Sequence, residues 1–247
     1  MQIWAYTLIS VVILSAISFV GGLLILFGEK KFRYLSLFLV SFAVGALFGD
    51  AFIHILPESF KDQAGNIRTS LFVVAGVLVF FVLEKFVRWR HCHMAPSVGH
   101  EHPFVSMNIV GDGIHNLIDG MLIGASYLVS IPIGIATTLA IILHEIPQEL
   151  GDFSIFIHGG LSARRAIFFN FLLSLTGIFG AIISLLIGEQ VGGYAAALLP
   201  ITAGGFLYIA GSDLIPELHH ETKISTSLGQ LISIICGVAV MALLVFI

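Results

Sequence analysis

The chain has 247 residues, of which 57% are hydrophobic and 11% charged, with a net charge of −4 and a mean hydropathy of +1.03. An ordinary soluble domain carries about 25% charged residues, so this composition excludes one, and 11 scattered Lys and Arg residues exclude nucleic acid as a partner. Two cysteines, Cys92 and Cys236, exclude a disulfide scaffold, and what is left is an all-α, polytopic membrane protein in which each charge is informative.

A helix crosses a bilayer with about 20 mostly apolar residues. Eight stretches meet that length: 3–27, 34–57, 69–89, 103–129, 131–157, 166–188, 190–215 and 224–247. Together they make one transmembrane domain, 1–247, embedded in a lipid bilayer. The first stretch has no basic leader or Ala-x-Ala site, so a retained helix is expected rather than a cleaved signal. Short polar breaks separate the stretches, and the tightest is Ser130-Ile131-Pro132. Lys30, Lys31, Arg33, Lys85, Arg88, Arg90, Arg164, Arg165 and Lys223 fall at alternate connections, against Lys61 and Arg68 on the other side. The excess of basic residues on one side orients that side to the cytoplasm and puts both chain ends outside. Continuous rather than alternating hydrophobicity excludes a β-barrel.

Ionisable side chains at the centre of a bilayer cost about 2.5–3.5 kcal/mol each on insertion scales, and they mark pathways or pair with one another. Span two carries Asp50, His54 and Glu58; span four Asp112, His115, Asn116 and Asp119; span five His144, Glu145, Gln148, Glu149 and Asp152; span seven ends in Asp213 and Glu217. Taken singly, Asp50 or Asn170 reads as well as a satisfied structural contact. Nine polar side chains on two adjacent helices at one depth do not.

Spacing sharpens this reading. His115 and Asp119 stand at i,i+4 and share a helix face, as do His144 and Gln148. The turn at 130–132 makes spans four and five antiparallel neighbours, so both pairs lie at the same depth. Two imidazoles, a carboxylate and an amide oxygen are then expected to converge, a donor set suited to Zn2+ or Fe2+. Asn116, Glu145 and Glu149 stand beside them, able to orient the ligands or hold a second ion. Pro147 is expected to kink span five within this cluster.

The chain resembles the ZIP family of divalent-metal transporters through His115-Asn116-Leu117-Ile118-Asp119-Gly120 and His144-Glu145-Ile146-Pro147-Gln148-Glu149-Leu150-Gly151-Asp152. The resemblance implies a midplane site, sometimes binuclear. His115, Asp119, His144 and Gln148 would form its main part, Asn116, Glu145 and Glu149 a second part, and Asn170 of span six a reach toward that second part. It implies flow into the cytoplasm, with Zn2+ first among cargoes and Fe2+, Mn2+ or Cd2+ alongside. Many relatives carry His where this chain carries Gln148, which bears on metal preference. His54-Ile-Leu-Pro57-Glu58 is echoed by Asp213-Leu-Ile-Pro216-Glu217 in a span of opposite direction, and the family implies the same inverted 3+2+3 arrangement.

By depth, Glu58, His54 and Asp50 descend from the outer mouth. Asp112 and Asp152 lie below the centre, and Asp213 and Glu217 mark the exit. The loop 90–102 holds His91, Cys92, His93, His100 and His102, read either as a solvated linker or as a weak site that receives metal after transit. Gly21-Gly22, Gly192-Gly193 and Gly204-Gly205 are compatible with a homodimer. Small size and minimal loops point to the cytoplasmic membrane. An enzyme is not expected. The rival reading is an intramembrane metalloprotease, since His144-Glu145 opens a His-Glu-x-x-His pattern, but Gln148 occupies the place of the second His. A channel-like passage without alternating access is the milder rival.

Overall fold

A computed structural model describes residues 2–19, 29–61, 67–88, 103–158, 161–219 and 223–246. All regular structure among them is helical: α1 (Gln2–Ile17), α2 (Glu29–Gly49), α3 (Ile67–Arg88), α4 (Pro103–Val129), α5 (Ile131–His158), α6 (Ala163–Gln190), α7 (Tyr194–Tyr208) and α8 (Ile224–Leu244). Five stretches are long and apolar enough to cross a membrane: Leu37–Phe60, Ile67–Lys85, Ala163–Gly188, Tyr194–Ser212 and Ile224–Leu244. Gln2–Ile17 and Ile131–Ile146 are apolar but shorter. A multi-pass membrane protein follows. The 27 residues of α4 extend about 40 Å at 1.5 Å per residue, but its polar face dilutes its hydropathy.

Two helices change pitch before they end. α2 continues into a π-helical segment, Asp50–Ile55, and then Leu56–Phe60, while α7 continues into Ile209–Leu214 and then Ile215–Leu218. Each π segment is followed at the second residue by proline, Pro57 or Pro216. Proline has no amide hydrogen to donate back into the preceding turn, and single-turn π segments occur often at functional sites. Sequence patterning gave no sign of either. By contrast, α5 continues as helix across Pro147.

The ends are set locally. Ser130 is the one residue between α4 and α5, and its hydroxyl accepts from the Ile133 amide at 3.3 Å, a cap that starts α5 directly beside the end of α4. Ser162 does the same for α6, accepting from the Arg165 amide at 3.4 Å. Gly193, with φ of 82°, makes the left-handed step into α7 that a side chain would resist.

Packing divides the helices into groups. α4 runs along α6, with α5 and α1 completing that cluster; α2 pairs with α8, and α3 with α7. In the apolar windows of α3 and α8 only 17% of residues are buried, so most of their apolar surface faces away from the rest of the chain. Lipid is as apolar as leucine, so close packing holds such helices together. At the α2–α8 crossing a Cβ on Gly45 would strike the Ile234 carbonyl, and one on Gly237 the Phe42 carbonyl; at the α3–α7 crossing Gly76 and Gly204 stand likewise against Ile201 and Val73. Gly204-Gly205 thus serves an internal contact, with Gly205 against the Phe80 ring, while a Cβ on Gly192 or Gly193 would meet nothing within 4 Å. Gly21-Gly22 lies outside the described residues.

α1 and α6 are tied by a reciprocal pair of bonds. The Ser15 hydroxyl donates to the Ser174 carbonyl at 3.0 Å, and the Ser174 hydroxyl donates to the Ser15 carbonyl at 3.3 Å, across 159 positions. The two π segments begin and end at the same offset, Asp50 to Ile209 and Ile55 to Leu214.

Candidate metal centre

α4 and α5 bring four ligand atoms into one place. One atom each from His115, Asp119, His144 and Glu145 lie within 4.8 Å of one another. His144 Nε2 is 3.2 Å from Asp119 Oδ2, 3.4 Å from His115 Nε2 and 3.6 Å from Glu145 Oε1. His115 Nε2 is 3.3 Å from the same Glu145 oxygen and 3.7 Å from Asp119 Oδ2. The side chains of Asp119, His144 and Glu145 are at most 2% exposed, and that of His115 is 16% exposed.

The tautomer of His144 can be read from its other nitrogen. Nδ1 stands 3.3 Å from the Ala140 carbonyl, which can only accept, so Nδ1 carries the hydrogen and Nε2 presents its lone pair to the cluster. That lone pair faces a carboxylate oxygen and a second imidazole nitrogen. Such an arrangement is relieved by a proton on one of the facing atoms or by a metal ion between them. Two imidazoles and two carboxylates are a donor set for zinc or another first-row divalent ion. Asp119 Oδ1 is buried without a hydrogen-bond partner among the described residues, which leaves it open to such an ion.

Sequence spacing pointed to Gln148 as the fourth convergent group. In the structure the Gln148 amide nitrogen donates to Asp112 Oδ1 at 3.4 Å, where Asn116 also donates at 2.8 Å. His144 and Gln148 share a face, but Gln148 stands one turn, about 5.4 Å, further along α5. Gln148 therefore meets α4 one turn further along, at Asp112.

A second polar layer follows. Asp112 and Glu149 each lie within electrostatic range of Glu145 and Asp152. Asn170 of α6 donates to the Glu149 carbonyl at 3.1 Å. Asp112, Asn116, Glu149, Asp152 and Asn170 are all buried. Carboxylates grouped out of water need cations or protons for balance, and the layer adjoins the first through Glu145.

In the π segment of α2, Asp50 Oδ1 is 3.2 Å from His54 Nδ1, both side chains are buried, and Thr137 of α5 stands beside Asp50. Thr137 escaped the sequence reading because a lone threonine in an apolar helix carries no signal. Glu58 is at the rim, 3.4 Å from Lys61, an exposed pair of small energetic consequence. The side chains of Asp213 and Glu217 lie outside the described residues, as does the loop with His91, Cys92, His93, His100 and His102.

Fold and site together define a multi-pass helical membrane protein with a buried nitrogen-and-oxygen ligand cluster halfway along two central helices. The family model described as ZIP Zinc transporter matches residues 1–105 and 91–245, and the chain belongs to that family. It is 33% identical to zinc transporter zipt-7.1 of Caenorhabditis briggsae, over 82% of this chain and 69% of the relative. It is 36% identical to zinc transporter ZIP13 of Pongo abelii, over 83% and 65%. Against zinc transporter SLC39A7 of Homo sapiens the identity is 28%, over 98% of this chain and 71% of the relative. The chain therefore spans about two thirds of the length of these relatives. They are named as transporters, not as enzymes.

Proposed function

We propose that this protein moves divalent transition-metal ions across its membrane into the cytoplasm, Zn2+ first and Fe2+, Mn2+ or Cd2+ as further cargoes. The observation that carries this reading is the convergence of His115, Asp119, His144 and Glu145 within 4.8 Å from two helices. Ligand atoms gathered at that range can share a metal ion in place of the protons between them. Asn116, Gln148, Glu149, Asp112, Asp152 and Asn170 form the adjoining position, where a second ion rests or the first one passes. Asp50, His54 and Glu58 lie on the outer approach, Asp213 and Glu217 on the inner exit.

The eight helices are proposed as eight spans with both ends outside, supported by nine basic residues on one side against two on the other. An inverted repeat of α1–α3 onto α6–α8, with α4 and α5 between, accounts for the offset of 159 shared by the Ser15–Ser174 pair and the two π segments. In a two-fold-related pair a residue meets its own counterpart reciprocally, as these serines do. Such symmetry suits alternating access, and the cytoplasmic membrane is the proposed location. The protease reading is disfavoured by Gln148, whose amide is engaged with Asp112.

The test is uptake into proteoliposomes of the purified chain against a panel of divalent ions. Saturable Zn2+ uptake that disappears in His144→Ala is expected. Equal uptake by the two proteins would remove the site from the pathway, and linear, non-saturating flux would favour a channel.

A further inference from the structure

Two aromatic side chains outside the ligand set stand against its histidines. Phe80 of α3 meets His115 edge-to-face with ring centroids 5.9 Å apart, and Phe206 of α7 meets His144 at 6.2 Å. His115 and His144 themselves meet edge-to-face at 5.7 Å. The four rings form one row, with the metal-binding imidazoles in the middle and apolar rings at both ends. Phe80 and Phe206 are both buried. Room for the row depends on residue 205 being glycine, since a Cβ there would run into the Phe80 ring.

The placement bears on water. Of the four ligand side chains His115 alone has appreciable exposure, and Phe80 stands against it. An apolar shell round a metal site controls the access of solvent, and hydrophobic constrictions exclude water from passages in membranes. A dry site with four protein ligands suits zinc, which is content with four-coordinate tetrahedral geometry. Manganese favours an octahedral oxygen shell, and two imidazoles and two carboxylates cannot complete it without water.

We propose that Phe80, with Phe206 completing the wall, is a specificity-determining residue that limits the water reaching the ion at His115, Asp119, His144 and Glu145 and so selects zinc over manganese. The proposal rests on the reading of those four residues as the ion site. Phe80 belongs to the α3–α7 pair while His115 and His144 belong to α4 and α5, so the wall is supplied across the boundary between two helix groups.

The test uses the full chain with Co2+ as a spectroscopic probe, and uptake of Zn2+ against Mn2+ in proteoliposomes. The wild type should give the intense visible bands of tetrahedral Co2+, lost in His144→Ala; their absence from the wild type would sink the site reading itself. Phe80→Ala should convert them to the weak bands of six-coordinate Co2+ and raise Mn2+ uptake relative to Zn2+ at least several-fold. Phe80→Leu, which keeps the wall apolar, should retain both the tetrahedral bands and the wild-type ratio. If the alanine variant is not recovered as folded protein, Phe80→Val carries the same expectation in weaker form. A tetrahedral spectrum and unchanged ratio in the truncated variant would overturn the proposal while leaving the site intact. So would a leucine variant that changes as much as the alanine one, because ring contact rather than dryness would then be the cause.

Discussion

The central cluster and the pair in α2 handle buried charge in different ways. Asp50 and His54 sit four residues apart on one helix, meet at 3.2 Å, and need no other element to find each other. His115, Asp119, His144 and Glu145 come from two helices and gather their atoms within 4.8 Å. The first arrangement offers an ion one nitrogen and one carboxylate, with Thr137 nearby. The second offers two of each, brought together from two helices. A local pair can hand an ion on, whereas a convergent set can hold it stripped of water. The lesson is that burial of a His–Asp pair alone does not make a binding centre; ligand number and mutual orientation do.

Mutations at the two places should therefore differ in kind. His144→Ala should bring uptake to the background of protein-free vesicles, since it removes the imidazole that touches all three other ligands; residual saturable flux would show that three ligands suffice. Glu145→Gln keeps the shape and removes a charge, and metal affinity should drop about 10-fold or more, on the scale seen for perturbed metal sites. Isothermal titration of the purified variant checks this. An affinity equal to wild type would return Gln148 to consideration as the fourth ligand. His54→Ala should raise the half-saturating metal concentration a few-fold with the Co2+ spectrum of the central site unchanged. An altered spectrum would erase the distinction between approach and centre.

Gln148→His has a smaller expected effect. It puts an imidazole beside Asp112 and should raise zinc over manganese uptake a few-fold, because imidazole favours zinc more than an amide oxygen does; competition uptake with both ions decides it. The smallest change is expected from replacing His91, His93, His100 and His102 together by serine. The polar loop 90–102 is expected outside the bilayer from its composition, so the maximal rate should move by at most a few-fold with affinity unaltered. Complete loss of transport at normal expression would make the loop part of the obligatory path.

The sequence by itself determined the class of the protein and named the four side chains that the structure gathers. Composition settled the membrane location, because apolar stretches of span length with so few charges have no other stable home. Most helix bounds followed closely, and α4 coincided with the stretch 103–129, because proline, serine and charged breaks are local signals; α1 instead ends at Ile17, ahead of the expected bound at 27. The i,i+4 rule placed His115 with Asp119 correctly, as a property of one helix. Tertiary structure decided what depends on how helices turn toward one another. Glu145 and Gln148 stand at i,i+3, about 60° apart on α5, and nothing in the spacing along the helix specifies which of them meets His115 Nε2 at 3.3 Å. The π segments were hidden because apolar periodicity does not distinguish a five-residue from a four-residue hydrogen-bond step. Phe80 and Phe206 were hidden among 21 phenylalanines, since an aromatic ring in an apolar helix acquires meaning only from what it touches, and that contact is made across 35 positions from Phe80 to His115 and 62 from His144 to Phe206.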